Sequence, residues 1–378
     1  MAPPACRTWA TVDLAAVRHN VGLVRALVEP AGVAAVVKAN AYGHGAPEVA
    51  RAAVEAGAAV LAVASAEEGI ELREAGLDAP ILIIGASLPS DAKAILAYDL
   101  AACLSPPAML DALRAEARRR RRRARVHLMV DLGMSRDGIA PEEAVALARR
   151  LATTPELELE GVATHFPDAD EEDRELTERV IAEFAGLCAE IESVGPRPSY
   201  YHVANSAGLL RFPRARFNLV RAGIMLYGMA GAPSLEGLAP WQPVLSWRTQ
   251  VVGLRGVPAG TPVGYNHTYV TARPTVLATL PVGYYDGYVR AYSNNAEVLI
   301  RGRRAPVVGR VSMDYITVDV GGIAGVEVGD MATLLGRDGE ECIPAEELAR
   351  RRGTIPYEVT CAIGPRVRRM HVDAEGSA

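Results

Sequence analysis

The chain has 378 residues, half of them apolar, and a formal net charge of −5, which suffices for one large domain or two ordinary ones. So mild a charge argues against a nucleic-acid binder, and no apolar run is long enough to span a bilayer. The five cysteines, at 6, 103, 188, 342 and 361, are odd in number and lack C-x-x-C spacing, so neither a disulfide framework nor a metal site is expected.

In chain order, M-A-P-P-A-C-R-T-W-A has no charged segment leading into an apolar core, which predicts no secretory signal and a cytoplasmic location. A strand-like T-W-A-T-V follows, and Asp13 is placed to cap a helix running to about Glu29. From there strands and helices alternate. Strands are expected to begin near Val33, Ala58, Pro80, Asp99, Arg125, Glu158, Tyr200 and Phe217, with helical patterns over 47–55, 66–74, 107–123, 142–151 and 170–193. Eight strands alternating with helices predict an α/β fold, a (β/α)8 TIM-type barrel over residues 12–240. A doubly wound open sheet is the alternative, but no G-x-G-x-x-G turn follows the first strand. Six consecutive arginines, 118–123, have no aromatic partners and read as a solvated helix end. Residues 229–243, rich in Gly, Pro and small residues, read as a linker. Short β-rich runs follow at 244–254, 275–280, 297–300, 307–320 and 331–335, with one helical pattern at 345–351. They predict a mainly β domain over 241–378, which residues 1–11 are expected to join.

Residues 33–45, V-A-A-V-V-K-A-N-A-Y-G-H-G, deliver Lys38 at the end of an apolar strand and then break into a loop. The chain holds 38 arginines but only two lysines, Lys38 and Lys93. Arginine stays charged in any plausible site, whereas lysine can lose its proton, form a Schiff base with an aldehyde and later act as a base. The alternative is a lysine that merely reaches from the strand end to water. In such a barrel the active site lies at the C-terminal ends of the strands. Polar residues collect there: Arg136 after the fifth strand, His165 ending the sixth, Asn205 and Ser206 after the seventh, and Arg221 on the eighth, running into Gly223 and Ile224. Singly, each has a structural explanation: a helix cap for Asn205 and Ser206, a satisfied core histidine, an arginine paired with a structural carboxylate. Loops after the seventh and eighth strands often bind phosphate, a role that suits Ser206 and the amides of Gly223 and Ile224. A phosphate site near a strand-end lysine points to pyridoxal 5′-phosphate held covalently by Lys38.

In these stretches the chain resembles the alanine racemase family. V-V-K-A-N-A-Y-G-H-G is similar to the family's cofactor-lysine signature. T-H-F-P-D-A-D, H-V-A-N-S-A-G, V-R-A-G-I-M-L-Y-G, G-Y-N-H-T-Y, L-P-V-G-Y-Y-D-G, G-R-V-S-M-D-Y and Y-E-V-T-C-A-I resemble its remaining blocks, in order. The resemblance implies racemisation of L-alanine to D-alanine with pyridoxal 5′-phosphate, supplying peptidoglycan, by a homodimer with shared active sites. Lys38 would hold the cofactor aldehyde and serve as base for the D-isomer, and Tyr265 would be the opposing base for the L-isomer. Tyr42, Ser206, Gly223, Ile224 and Tyr357 would bind the phosphate, and Asn205 would contribute to the cofactor site. Arg221 would face the pyridine nitrogen, His165 would bridge Tyr265 and Arg221, and Arg136 would hold the cofactor's phenolic oxygen. Arg136, Tyr284, Met313 and Asp314 would meet the substrate, with Tyr265 and Met313 coming from the partner subunit.

The chemistry of these assignments is coherent. Racemisation removes a proton from one face of Cα and returns one to the other, so two acid–base groups must flank the carbon. An arginine, always protonated in ordinary surroundings, cannot hand a full proton to the ring nitrogen, which weakens the electron sink and limits side reactions. One departure from the family is Met129, which stands where relatives often carry a lysine modified to a carbamate that pairs with the arginine of the G-M-x-R block. A buried unpaired guanidinium is costly, so a chloride, a water cluster or a rearranged side chain is expected to substitute, with chloride near Arg136 the first choice. Other readings are a broader-specificity or serine racemase of the same fold, a decarboxylase using the same cofactor, and a non-catalytic cofactor-binding protein. The decarboxylase reading lacks its glycine-triplet phosphate loop, and the binding-protein reading leaves the second domain and Tyr265 without a role.

Overall fold

The computed structural model describes residues 6–104 and 107–373; residues 1–5 of the expected N-terminal addition to the β domain lie outside them. The chain divides into two compact units. One comprises Val17–Ala41 and Gly45–Gln242, the other the residues up to Ala16, Tyr42–His44 and those from Pro243 onward.

The first unit is built on eight short strands: Gly32–Val36, Val60–Val63, Ile81–Ile83, Ala101–Leu104, Ala124–Met129, Leu157–Ala163, Tyr200–His202 and Leu219–Ala222. They follow one another in parallel around a single sheet, and the first also pairs with the eighth. A backbone bond of 2.9 Å from the Arg221 N–H to the Ala204 carbonyl ties the eighth strand to the chain just past the seventh. This is the expected (β/α)8 barrel. Its residues show why it forms. The second, third and fourth strands are buried at every position, as strands covered on both faces must be. Arg221 is the only charge in the otherwise apolar Leu219–Ala222. Helices such as Ala46–Glu55, Ala66–Glu74, Pro141–Ala152 and Glu175–Val194 fill the connections.

Two details differ from the sequence reading. The helix carrying the arginine run ends at Arg120 rather than 123, and its arginines are paired, Arg119 and Arg120 with Glu116 and Arg118 with Glu156. The sixth strand is not regular: the register against the fifth slips between Val126 and His127, which face Leu159 and Gly161, leaving Glu160 as an extra residue.

The second unit is mainly β. Its main sheet runs in the order Arg303–Pro306, Glu297–Ile300, Met331–Asp338, Leu245–Gln250, Thr8–Asp13 and Arg368–Val372, so the two ends of the described chain lie side by side. Within it, Trp247 Nε1–H donates to Thr8 Oγ1 at 3.0 Å, and the Tyr288 ring meets Trp247 edge-on and Tyr292 at a tilt. Asp13 caps the helix Leu14–Val28 as expected, accepting the amides of Ala15 at 2.9 Å and Ala16 at 3.2 Å. The run 307–320 forms a strand only at Ile316–Asp319, because Gly309 adopts φ +78° and Ser312 closes a turn onto Tyr315 at 2.8 Å. A second helix, Pro356–Cys361, adds to the expected one at Ala345–Arg352. No helix among the described residues is long and apolar enough to cross a membrane.

Candidate active site

Lys38 is half-buried two residues beyond the first barrel strand. Where a loop was expected, the chain makes one turn of helix, Lys38–Gly43, with Ala39, Asn40, Ala41 and Tyr42 at φ between 51° and 54°. That is the left-handed region, which costs a residue bearing a Cβ on the order of 1 kcal/mol. The turn is held by side chains. One Glu68 carboxylate oxygen accepts the Ala39 amide at 2.7 Å, while the other accepts the Ala64 amide at 2.7 Å. Asn40 Oδ1 accepts the Ala46 amide at 2.8 Å. Glu68 drew no notice in the sequence, where it reads as an ordinary acidic residue in a first helical turn.

Arg221 is buried on the eighth strand. Its Nη1 donates to His202 Nδ1 at 2.7 Å and to the His202 carbonyl at 2.8 Å. Its Nη2 donates to the Thr164 carbonyl at 2.8 Å, His165 Nδ1 at 2.9 Å and the Val203 carbonyl at 3.1 Å. Burial, with the charge of Arg136 nearby, lowers the Arg221 pKa to about 10; it therefore stays protonated at neutral pH. His165 is pushed down to about 3 by burial first and then by the charges of Arg221, Arg136 and Lys38, so it is a neutral acceptor. His202 lies well below the ordinary histidine value for the same reasons, burial and then Arg221. Only Nε–H of Arg221 is left without an acceptor among the described residues.

Lys38, Met129, Arg136, His165 and Arg221 line one open cavity of about 340 Å³, the size of a small-molecule site. Arg136 is exposed, which corrects the expectation of a buried guanidinium, and it has no acceptor among the described residues. After the seventh and eighth strands, Ser206 Oγ accepts the Gly223 amide at 3.0 Å. Asn205 Oδ1 is occupied as the cap of the helix Ser206–Arg211, accepting the Gly208 amide at 2.8 Å. An amine, two guanidinium groups and a spare Nε–H fit an aldehyde-bearing, anionic pyridine.

The remaining named residues belong to the other unit. Tyr42 and Tyr357 place their rings 5.8 Å apart, and Gly43 packs so closely on the Thr360 carbonyl that no side chain would fit there. Tyr265, Tyr284 and Met313 are exposed. The Asp314 carboxylate is taken up by Arg366 at 2.7 Å, and Arg366 also grips the fully buried Asp286 at 2.7 and 2.8 Å. Asp286 in turn accepts the Gly283 amide at 2.9 Å, fixing the turn that carries Tyr284.

A barrel with a strand-end lysine and a guanidinium fixed by neutral histidines, joined to a β unit, defines a class of cofactor-dependent amino-acid enzyme. The comparisons sharpen this. The family models "Alanine racemase, N-terminal domain" and "Alanine racemase, C-terminal domain" match residues 12–231 and 244–371. The chain is 47% identical to an alanine racemase of Symbiobacterium thermophilum over 96% of its own length and 97% of that protein. Against one of Geobacter sulfurreducens it is 43% identical, over 97% of each. Among solved structures, the alanine racemase from D-cycloserine-producing Streptomyces lavendulae superposes with a TM-score of 0.94 at 36% identity, covering 99% of both chains. The Bacillus anthracis alanine racemase with bound L-Ala-P gives 0.91 at 37% identity, covering 98% of this chain and 96% of that one. The chain therefore belongs to the alanine racemase family and is an isomerase.

Proposed function

We propose that this protein interconverts L- and D-alanine with pyridoxal 5′-phosphate held covalently by Lys38, working in the cytoplasm to supply D-alanine for peptidoglycan. When bound, the cofactor supplies the electron sink that acidifies the substrate Cα–H. Lys38 moves the proton on one face of that carbon and Tyr265, from the partner subunit of a homodimer, moves it on the other. Arg221 offers its Nε–H to the ring nitrogen and, remaining protonated, keeps that nitrogen from gaining a full proton. His165 serves as a neutral acceptor between Arg221 and Tyr265. Ser206, Gly223 and Ile224, with Tyr42 and Tyr357, hold the phosphate, and Asn205 shapes that site by capping the helix that starts at Ser206. Arg136 orients the phenolic oxygen and, with Met313, Tyr284 and Asp314, the substrate carboxylate. Arg136, being exposed, does not itself demand a buried counter-ion; a chloride drawn beside it from solvent would supply the negative charge that Met129 does not.

The observation that carries this reading is the sharing of one cavity by Lys38 and an Arg221 whose other donors are all committed inward. Incubating the purified protein with single L-amino acids and separating the products by chiral chromatography tests it. Alanine should racemise fastest. Preferential turnover of serine or of larger amino acids would favour the broader-specificity alternative, and release of carbon dioxide would favour a decarboxylase.

A further inference from the structure

The mechanism above uses Arg221 but not what stands behind it. His202 accepts from Arg221 at Nδ1, so its ring proton must sit on Nε2, which lies 2.8 Å from His127 Nδ1. His127 must then accept at Nδ1 and carry its own proton on Nε2, 3.0 Å from a Glu160 carboxylate oxygen. One file of hydrogen bonds thus runs from the cavity through two fully buried histidines to a carboxylate that is partly open to solvent. Burial holds His127 below the ordinary histidine value, partly offset by Glu160. Burial raises Glu160, but its bond to His127 and the nearby Arg125, 3.6 Å away, bring it below the ordinary carboxylate value.

Two backbone features lie directly beside this file. Glu160 is the extra residue at the strand slip, and such bulges re-aim a side chain. The next residue, Gly161, has no side chain; a Cβ there would overlap the His127 ring, lying 2.6 Å from Cε1. The sixth strand gives up its regularity and a side chain at adjacent positions, and both changes serve the contact between Glu160 and His127. A core that needed only bulk would fill these places with apolar residues, since buried polar groups are costly unless fully bonded.

We propose that Glu160, acting through His127 and His202, is a positioning residue for Arg221: it fixes the tautomer of both rings, so that Nη1 stays committed inward and Nε–H alone is presented to the cofactor ring. This rests on the racemase reading for its purpose but not for its test. Without an acceptor at position 160, His127 is free to place its proton on Nδ1, facing the proton on His202 Nε2. The resulting clash of donors is relieved only by turning His202 and loosening Arg221.

The test uses the holoenzyme labelled with ¹⁵N-histidine. In the wild type, both rings should give the signature of neutral Nε2–H imidazoles with ring protons slow to exchange. Glu160→Leu should lose that signature at His127 and His202, move the cofactor absorption band and lower kcat on the order of tenfold, with KM changed less than twofold. Glu160→Gln keeps an acceptor oxygen and should restore most of both signals. Gly161→Ala, which alters no polar group, should reproduce the Glu160→Leu pattern and stands in for it if that variant fails to fold. Unchanged ring tautomers and absorption in Glu160→Leu or Gly161→Ala would overturn the proposal. So would Glu160→Gln behaving like Glu160→Leu, since charge and not tautomer would then be what matters. The ring signatures are read without turnover, so a protein that fails to racemise alanine would overturn the function and leave this coupling measurable.

Discussion

On the barrel, the residues of the site other than Arg136 are largely fastened within the chain: Arg221 has its Nη donors filled, Ser206 and Asn205 each hold an amide, and the turn after Lys38 is pinned by Glu68. In the β unit the opposite holds, with Tyr265 68% and Met313 51% exposed and neither fastened by a side-chain hydrogen bond among the described residues. The turns that carry Tyr284 and Met313 are nonetheless tied down by the Arg366–Asp286–Asp314 cluster. Bare aromatic side chains on a fixed loop backbone are what the proposed homodimer with shared sites would draw on. Disturbing the barrel residues should therefore change stability and cofactor handling, whereas disturbing the β-unit residues should change turnover alone.

The sharpest contrast uses the two proposed bases. Lys38→Ala should lower racemisation by about 10³–10⁴-fold and abolish the covalent adduct; borohydride reduction of the wild type should place the pyridoxyl mass on the peptide containing Lys38, not Lys93. Tyr265→Phe should cost about 10²–10³-fold while leaving stability within about 0.5 kcal/mol, because the ring is exposed. Mixing Lys38→Ala chains with Tyr265→Phe chains should recover activity approaching half of wild type in the heterodimer, where one site has both bases. No recovery in re-formed heterodimers would place both bases on one chain and dissolve the contrast.

Acid should act on the barrel side. His165, His202 and His127 all have folded pKa values below the ordinary 6.5, His165 at about 3. The unfolded chain therefore binds more protons than the native one below pH 6.5, so stability is full above that pH and falls as pH drops toward 3. His165→Asn should flatten part of that slope in denaturant titrations at pH 7, 5.5 and 4.5. The smallest effects separate a cap from a solvated charge. Asn205→Ala should cost about 1 kcal/mol, and Arg118→Gln, on the exposed arginine run, under about 0.5 kcal/mol.

Much of this was legible because the chemistry lies where periodicity is strong. Most of the first barrel strands are short apolar runs separated by helical patterns, and the odd residues at their ends stand out against that background. Arg221 is conspicuous as the lone charge in L-V-R-A. The support behind it was not legible. His127 and Glu160 lie in different strands, and their meeting depends on a one-residue slip that no alternation pattern announces. A polar His127 in V-H-L-M was the only available sign. In the β unit, the run 307–320 reads as one strand until Gly309 bends it, and Pro356–Cys361 is too short for its six residues to reveal a helical period.

The left-handed turn after Lys38 also governs which sequences this site can accept. Positions 39 and 41 carry alanine at φ 54° and 51°, the smallest side chain short of none. Valine or isoleucine there would meet the backbone on its crowded side, so the turn filters substitutions by shape before any chemistry is tested. Glycine would fit without strain yet relax the turn. The alanines therefore keep a tension that glycine would release, and Glu68 holds it at the first amide of the turn. The lysine backbone becomes a fixed pivot, and its amine can travel only along the arc that its own side-chain bonds allow.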